Sequence, residues 1–386
     1  MQKQTLTAAL RRAARWTLLA GVCLLTLEVA ARVDDWFTYG APLLGSYNID
    51  QLFQVTPAGL RGVPYGRYAK WRLDSRGYRG PEVRSDSGQI RVVTYGASET
   101  FGIYEDPGQE FPRVLERDLN AAADGANFEV VNVAMPGMRV GSGISYLQEI
   151  GATLHPKVVI IYPTPTHYIG VTRPYCGRAA QGPSVPARQP PELRMLQKAR
   201  DRLKEALPPA VLTWVRAASI AWSNRGRVVL DRVAPVSLAA FQTDLVCAIR
   251  TTRQIGAVPI VVTHANRFAK TARPDDAYWL TGWRLQYPEL RQDGLLSLET
   301  SANAVIRSVA HNQDVPLVDA SADLSGEPGN FADHAHFTDL GSKRMADLLA
   351  VAVLRALGEE GLFGPQQSVA PAGALLPNAE AHAAVR

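Results

Sequence analysis

Three residues with the chemistry of a nucleophile, a base and an orienting carboxylate stand at two distant places in the sequence. Ser98 lies in the small-residue segment 96–102, directly after the apolar run 90–95, and Asp333 and His336 stand three residues apart near the other end. A serine hydroxyl becomes a nucleophile when a neighbouring base removes its proton, and a carboxylate can orient that base. His336 would be the base and Asp333 the carboxylate. These residue types predict ester or acyl-transfer chemistry.

Each of these residues also has a structural interpretation. Ser98 could cap a helix, because Ser followed by Glu or Thr often begins one. Asp333 could cap the helix after it, although Thr338 or Asp339 is better placed to do so. His334 has the same chemistry as His336, and only the three-residue spacing from Asp333 favours His336. Taken jointly, the residues favour the catalytic interpretation.

Alternating strand and helix patterns supply the elements that would position these residues. Short strands rich in Val and Ile are predicted at 91–95, 128–133, 158–162, 258–263 and 316–318. Helical patterns lie at 110–121, 142–154, 238–254, 297–312 and 340–357. Uniformly apolar strands separated by amphipathic helices predict an α/β fold, a three-layer α/β/α sandwich with a mainly parallel five-stranded sheet. Ser98 then follows the first strand, where a doubly wound sheet exposes a nucleophile.

The segment around Ser98 resembles the first motif of the SGNH/GDSL hydrolase family, whose nucleophilic serine follows the first strand. Residues 132–137 are similar to the family's second motif, which contributes a glycine, and residues 333–341 are similar to its last motif. Residues 73–82 are similar to the lead-in of membrane-tethered bacterial members. The resemblance implies a flavodoxin-like SGNH fold, a Ser-His-Asp triad, and oxyanion donors at the backbone N–H groups of Ser98 and Gly137.

The third family motif is where the sequence departs from the pattern. Members usually end the third strand with Gly-x-Asn-Asp, whose asparagine amide is the third oxyanion donor. Here the stretch is 161–168, and the strand register puts Thr166 at the asparagine position. A threonine hydroxyl can donate a hydrogen bond, but it is shorter and less rigidly aimed. The difference predicts a reshaped oxyanion hole or a different acyl acceptor.

The N-terminal segment predicts export. Basic residues precede the uncharged run 16–27, which is followed by Glu28 and by a possible cleavage site at 29–31. This pattern fits a signal peptide, or a membrane anchor if Glu28 reaches the interface, because residues 16–31 span only ~24 Å as a helix against a ~30 Å hydrocarbon core. The positive flank would stay in the cytoplasm. We therefore expect a single-pass inner-membrane protein of a bacterium with its catalytic domain in the periplasm, or a secreted protein.

The chain divides into four predicted regions. Residues 1–32 are the signal or anchor, 33–89 a lead-in packed on the domain, 90–360 the SGNH hydrolase-like domain, and 361–386 a disordered tail rich in Ala and Pro. Residues 170–236 interrupt the strand–helix alternation as an insertion, with helices predicted at 192–206 and 210–220. The insertion either shapes a substrate cleft or decorates the domain.

Composition narrows the function further. The formal net charge is +5, four of these positive charges lie before residue 16, and no basic stripe interleaved with aromatic residues predicts nucleic-acid binding. No His or Cys cluster has metal-ligand spacing, so no metal or other cofactor is expected. Cys176 and Cys247 could pair in an oxidising compartment or remain buried thiols.

Other aromatic and imidazole side chains have two open interpretations. His167 and His264 stand at strand ends, where they either line a pocket or serve as structural histidines, and no role is assigned to them. Tyr278, Trp279 and Trp283 could form a sugar-stacking surface, although packing is the simpler interpretation.

Three functions follow as hypotheses. The first is a serine esterase that hydrolyses O-acyl esters, in particular O-acetyl esters, on an envelope polysaccharide or exopolysaccharide. The second is an O-acyltransferase that passes the acyl group from the same serine to a polysaccharide hydroxyl. The third is a non-catalytic polysaccharide-binding factor. The expected partners are an acylated carbohydrate and, through the N-terminal helix, a membrane; no protein partner is predicted.

Overall fold

The computed structural model describes residues 2–56, 59–85, 88–123, 125–178, 193–269, 271, 273–359 and 361. They fall into two compact units. The sheet unit takes its described residues from Glu82–Ala180, Leu230–Arg273 and Leu290–Arg386. The N-terminal unit takes them from Met1–Pro81, Gln181–Val229 and Pro274–Glu289.

The described elements are numbered in chain order. The strands are β1 (Phe53–Thr56), β2 (Gly59–Gly62), β3 (Arg67–Tyr68), β4 (Trp71–Arg72), β5 (Ile90–Gly96), β6 (Phe128–Asn132), β7 (Val158–Tyr162), β8 (Val258–Val262) and β9 (Leu317–Val318). The α-helices are α1 (Gln2–Tyr39), α2 (Ser98–Phe101), α3 (Phe111–Ala122), α4 (Ile144–Leu154), α5 (Arg194–Ala206), α6 (Pro209–Ser223), α7 (Pro235–Gln254), α8 (Asp276–Gln286), α9 (Gln292–Asn312), α10 (Ala320–Leu324) and α11 (Asp339–Glu359). Short 3₁₀ helices lie at Ile49–Gln51, Pro165–Tyr168 and Pro328–Asn330.

The sheet unit is built on a parallel five-stranded sheet in the order β6-β5-β7-β8-β9. The predicted fold class is therefore confirmed, and each predicted strand boundary lies within one residue of the observed one. The strands are short and nearly fully buried because both faces of a parallel sheet are covered.

Helices cover the two faces of the sheet as two layers. On one face, α3 and α11 pack on each other, and their apolar residues form a core with Val92, Ile160 and Ile260 of the strands. The alternate strand residues, such as Val93 and Ile161, point to the other face and are also buried. On that face α7 packs against both α4 and α9. The strand ends that carry the candidate site are thus held in a three-layer sandwich.

The predicted helices of the sheet unit are present, with shifted ends. The largest shift is at α9, which begins at Gln292 rather than at residue 297. Its first turn contains Gly294, where a Cβ would lie 2.7 Å from the backbone oxygen of Asp231 and 2.8 Å from Leu290. The first turn of α9 therefore lies close to the backbone of Asp231. The sequence of this turn has no apolar periodicity that would predict the start of the helix.

The N-terminal unit contains the long helix α1, whose part Arg11–Tyr39 is long and apolar enough to cross a membrane, a property that signal sequences share. The helix continues beyond the predicted segment 1–32 as far as Tyr39. Glu28 is buried, and its carboxylate accepts from Arg32 Nε at 2.6 Å and from the backbone N–H of Met195 in α5 at 3.1 Å. Glu28 therefore has partners within the protein where the apolar run ends.

The rest of this unit contains elements that the sequence did not predict. Residues of the predicted lead-in form two antiparallel pairs, β1–β2 and β3–β4. Helix α8 packs against α6, and Arg216 Nη1 donates to the carbonyl oxygen of Tyr278 at 2.9 Å. Trp283 is buried in α8, which favours the packing interpretation for this aromatic residue. The predicted tail 361–386 lies outside the described residues, apart from Gly361.

Candidate active site

Ser98 is the first residue of the short helix α2, which is separated from β5 by the single residue Ala97. Gly96 is the last residue of the strand, and a larger residue does not fit there, because a Cβ would lie 2.2 Å from Thr100 Oγ1 and 2.7 Å from the backbone oxygen of Tyr162. The helix stops after one turn at Gly102, whose φ of 79° favours glycine. Ala97 rather than Ser98 is the N-cap residue, so the serine side chain is not used as a cap.

The structure brings Ser98, His336 and Asp333 together in one chain of hydrogen bonds. His336 Nε2 lies 2.9 Å from Ser98 Oγ, and its Nδ1 lies 2.8 Å from Asp333 Oδ2. Asp333 Oδ1 also accepts the backbone N–H groups of Ala335 and His336, at 3.0 and 2.9 Å. The carboxylate is therefore fixed by its own loop, and it fixes the imidazole.

His334, the alternative base, is placed differently. Its Nδ1 lies 3.6 Å from Asp333 Oδ1, beyond hydrogen-bond distance, and its backbone oxygen accepts the N–H of Arg267. Burial lowers the pKa of His334 to about 4, so this imidazole is neutral in ordinary buffers. The helix α11 that follows is capped by Thr338, whose Oγ1 accepts the N–H of Gly341 at 3.2 Å.

The charges around His336 favour its protonated form. Burial works against that form, but the hydrogen bond to Asp333 and the negative charges of Asp333 and Glu99 outweigh it and raise the pKa of His336. Burial would also raise the pKa of Asp333, yet the hydrogen bond and charge of His336 hold it well below its ordinary range. The exposed ring of Tyr104 meets the imidazole edge-on at 5.5 Å.

A second buried carboxylate lies on this side of His336. Glu105 is nearly inaccessible and accepts from Ser342 Oγ at 2.7 Å and from the N–H of Tyr104 at 3.1 Å. Burial raises the pKa of Glu105 to about 7. Its hydrogen bonds attach the loop after α2 to the first turn of α11.

The predicted oxyanion donors follow neighbouring strands of the sheet. Gly137 lies in the turn after β6 with a φ of 78°, and a Cβ there would meet nothing within 4 Å. Its backbone conformation, rather than lack of space, therefore favours glycine at this position. Thr166 is buried in the 3₁₀ helix Pro165–Tyr168 after β7. Because β5, β6 and β7 are parallel, these residues and Ser98 share one edge of the sheet.

Buried polar contacts connect the turn after β6 with the segment after β7. Asp244 of α7 accepts from Tyr168 Oη at 2.8 Å and from the N–H groups of Tyr175 and Cys176 at 3.0 and 2.8 Å. Tyr168 Oη in turn accepts the N–H of Gly141 at 3.1 Å. A disulfide between Cys176 and Cys247 adds a covalent link to α7.

The same two segments are joined closer to the predicted oxyanion donors. Arg139 Nε donates to the carbonyl oxygen of His167 at 2.7 Å, and His167 Nδ1 lies 3.1 Å from the carbonyl oxygen of Met138. His167 is therefore a structural histidine in this arrangement. Burial lowers its pKa.

The sequence reasoning missed a buried charge cluster beside Ser98. Glu99 Oε2 lies 3.3 Å from Ser98 Oγ and 2.8 Å from Thr164 Oγ1, while Oε1 lies 3.3 Å from His264 Nε2. His264 Nδ1 lies 2.7 Å from Glu299 Oε2. The available signal was the position of His264, directly after an apolar strand, as Ser98 follows another.

Among the described residues, no group of three or more His, Cys, Asp or Glu side chains could hold a metal ion. The groups available for chemistry at this edge of the sheet are the hydroxyl of Ser98, the imidazole of His336, the carboxylate of Asp333 and the buried carboxylates of Glu99 and Glu105.

Comparisons with known proteins give the following picture. No family model and no curated protein sequence matches the chain. Among solved structures, a lipase/acylhydrolase from Enterococcus faecalis is 17% identical with a TM-score of 0.41, covering 72% of this chain and 100% of its own. An acetyl xylan esterase is 13% identical with a TM-score of 0.41, covering 68% and 100%. A catalytic mutant of an acetylxylan esterase from Geobacillus stearothermophilus is 14% identical with a TM-score of 0.40, covering 71% and 97%. At these scores the likeness carries no argument about function.

Proposed function

We propose that this chain is a serine esterase of the SGNH/GDSL hydrolase type that hydrolyses O-acyl esters, in particular O-acetyl esters, on an envelope polysaccharide or exopolysaccharide. The observation that carries the proposal is the continuous chain of hydrogen bonds from Asp333 through His336 to Ser98. Each link lies within the distance that proton transfer needs, and each atom is the one that its role requires.

The proposed reaction begins when Ser98 Oγ attacks the ester carbonyl carbon and His336 Nε2 takes the hydroxyl proton. Asp333 stabilises the imidazolium that forms and holds its Nδ1–H in place. The backbone N–H groups of Ser98 and Gly137 and the hydroxyl of Thr166 would stabilise the oxyanion. The tetrahedral intermediate collapses as the C–O bond to the alcohol breaks, and His336 returns the proton to the leaving alkoxide. The product is the free alcohol and an acyl-Ser98 ester.

The second half of the reaction releases the acid. Water takes the position of the alcohol, and His336 accepts one of its protons as the oxygen attacks the acyl carbon. The bond from that carbon to Ser98 Oγ breaks, and the proton passes to the serine oxygen. A carboxylic acid leaves and the enzyme returns to its starting state.

The extracytoplasmic substrate is supported by two features besides the site. Helix α1 carries a basic N-terminal flank and is apolar enough to span a membrane or to direct export. The Cys176–Cys247 disulfide is typical of proteins that work in an oxidising compartment. Both features favour a substrate in the cell envelope or outside it.

The test is covalent labelling of the purified full-length chain with a fluorophosphonate, read by mass spectrometry, together with release of p-nitrophenol from its acetate ester. We expect Ser98 to carry the label. Ser98→Ala should abolish both labelling and ester hydrolysis. Ser308→Ala, an exposed serine of α9, is the matched control and should leave both unchanged. Hydrolysis that survives Ser98→Ala would exclude Ser98 as the nucleophile.

A second candidate function is O-acyl transfer to a sugar hydroxyl through the same acyl-serine. The third motif, in which Thr166 stands where the family usually has an asparagine, motivates it, because excluding water as the acceptor requires a different pocket. Incubation with an acetyl donor and an oligosaccharide separates the two functions. Acetylated sugar would support transfer, whereas free acetate alone would support hydrolysis.

A further inference from the structure

The residue after the nucleophile carries a buried carboxylate that returns to the serine hydroxyl. Glu99 is 3% exposed, and its Oε2 lies 3.3 Å from Ser98 Oγ. The same oxygen accepts from Thr164 Oγ1 at 2.8 Å. The hydroxyl of Ser98 therefore has two acceptors within reach, Glu99 and the nearer His336.

The charge on Glu99 is maintained by the groups behind it. Burial opposes ionisation of Glu99, but the hydrogen bond from His264 and the positive charges of His336 and His264 hold the pKa of Glu99 far below the ordinary range. Burial also opposes protonation of His264, yet Glu299 and Glu99 together raise the pKa of His264 to about 10. At neutral pH Glu99 is therefore an ionised carboxylate and His264 an imidazolium.

Burying a cluster of ions lowers the stability of a protein compared with an apolar core. Removing ions from water costs several kcal/mol per ion, and apolar residues of similar volume often replace a buried ionic group without loss of stability. Among the described residues, Oε1 of Glu299 has no hydrogen-bond partner although it is buried. The ionised carboxylate of Glu99 lies next to the reacting hydroxyl, which points to a role in the reaction.

The geometry gives each protonation state of His336 its own hydrogen-bond pattern. Neutral His336 can accept the Ser98 proton at Nε2, which is the arrangement that attack requires. Protonated His336 donates from Nε2 to Ser98 Oγ, and the hydroxyl proton then turns to Glu99 Oε2. Glu99 thus completes the hydrogen bonds of the resting protonated state. In the imidazolium formed during attack the serine oxygen has no proton left, and Glu99 acts on His336 through its negative charge alone.

We propose that Glu99, held by Thr164 and His264, is a positioning residue that sets the direction of the Ser98 hydroxyl and the proton affinity of His336. This inference rests on the proposed function. Its consequence is that the ionised carboxylate stabilises the imidazolium formed during attack and shifts the acid limit of activity to higher pH.

The other groups that face His336 and Glu99 belong to several elements and must be kept constant in any test. Those acting on His336 are Asp333 and His334 of its own loop and Tyr104 and Glu105 of the loop after α2. Those acting on Glu99, besides His264, are His336 and His167. None of them is altered by the substitutions below.

The principal test is Glu99→Gln in the full-length chain, measured as the rate of fluorophosphonate labelling of Ser98 between about pH 5 and about pH 9. The probe reports the nucleophile without knowledge of the natural ester. Removal of the charge should move the acid limb of the labelling rate to lower pH. The matched control Glu149→Gln, on the exposed face of α4, should leave the limb in place. A rate that falls by the same factor at every pH would overturn the proposal.

A second pair of variants decides the matter if Glu99→Gln does not fold. Thr164→Val keeps every charge but frees Glu99 Oε2 for Ser98, so the limb should move to higher pH and labelling should slow near neutrality. Thr164→Ser restores the hydroxyl and should restore the profile. An unchanged limb in Thr164→Val would count against the role of Glu99. Absence of labelling in the parent protein would instead overturn the proposed function.

Discussion

Replacement of Asp333 by Asn tests the candidate site most directly, because it keeps the shape of the side chain but replaces an oxygen that accepts hydrogen bonds by an N–H₂ group that donates them. Asp333 Oδ1 accepts two backbone N–H groups of its own loop, and an asparagine oxygen can keep both. The other position of the side chain then presents an N–H₂ group to His336 Nδ1, where Oδ2 now accepts at 2.8 Å. Two donors cannot share that contact.

Asp333 Oδ1 also lies 2.9 Å from His336 Nδ1, but it already accepts two backbone N–H groups. We therefore expect the imidazole of the variant to carry its proton on Nε2 and to accept at Nδ1. In that tautomer Nε2 donates to Ser98 Oγ and cannot remove the serine proton. The loss expected for a wrong tautomer in a Ser-His-Asp site is about 10⁴-fold in kcat, equivalent to about 5 kcal/mol of activation free energy. The substrate KM should change little, because the contacts of the ground state are retained.

The pH profile gives an independent check with a definite sign. His336 must be neutral to act as base. Burial lowers its pKa, but the hydrogen bond and negative charge of Asp333 raise it, so that the pKa of His336 lies above the ordinary value. Activity of the parent protein should therefore fall as the pH drops through that raised pKa. Without the carboxylate the pKa of His336 falls, so the residual activity of Asp333→Asn should persist to lower pH.

The assay is steady-state hydrolysis of p-nitrophenyl acetate across the pH range, with thermal unfolding followed by circular dichroism. Asp339→Asn is the matched control, since the exposed carboxylate of Asp339 accepts the N–H of Asp106 and has no bond to the imidazole. We expect the control to retain full activity. If Asp333→Asn kept more than about a tenth of the parent kcat, the role assigned to Asp333 would be refuted.

Three further predictions concern the oxyanion side and the scaffold. Thr166→Val should lower kcat of ester hydrolysis by about 10² with little change in KM, and an unchanged kcat would remove Thr166 from the oxyanion hole. Joint replacement of Cys176 and Cys247 by Ser should lower the free energy of unfolding by about 4 kcal/mol, because the disulfide closes a loop of 71 positions. A denaturant titration measures this loss, and a loss near zero would show that the bond does not restrict the unfolded chain. Gly137→Ala should lower the free energy of unfolding by about 1 kcal/mol, because alanine is strained at a positive φ. Gly96→Ala should lower it by more, because the new Cβ would collide with backbone. The reverse order in thermal unfolding would contradict the described turns.

Local patterns were enough to predict the elements that carry the candidate site. The strand β7 was predicted at its observed bounds because a run of five apolar residues is bounded by polar and proline residues. Ser98, Asp333 and His336 were found because each stands in a short motif whose neighbours have the required residue types. Such motifs are properties of adjacent residues, so the sequence shows them.

The cluster around Glu99 could not be found in the same way. Glu99 and His264 are 165 positions apart, and His264 and Glu299 are 35 apart. In the sequence, Glu99 looks like a helix-starting acid and Glu299 like a polar position of an amphipathic helix. Only the packing of α9 against the end of β8 turns them into one buried group of charges.

The paired strands β3 and β4 escaped prediction for a different reason. They are two residues long, and the turns around them use positive φ angles at Tyr65 and Ala69, residues that rarely adopt this conformation. Neither alternation nor turn chemistry was therefore present to indicate them.

The contacts of Asp244 have a consequence for how an ester could enter and leave. This one carboxylate restrains the chain near Gly141 through Tyr168 and the chain near Cys176 directly, so the turn after β6 and the segment after β7 are both tied to helix α7. A bulky acyl chain that required either segment to move would have to displace helix α7 as well. For the proposed esterase, this restraint would suit a small acyl group such as acetyl better than a bulky one.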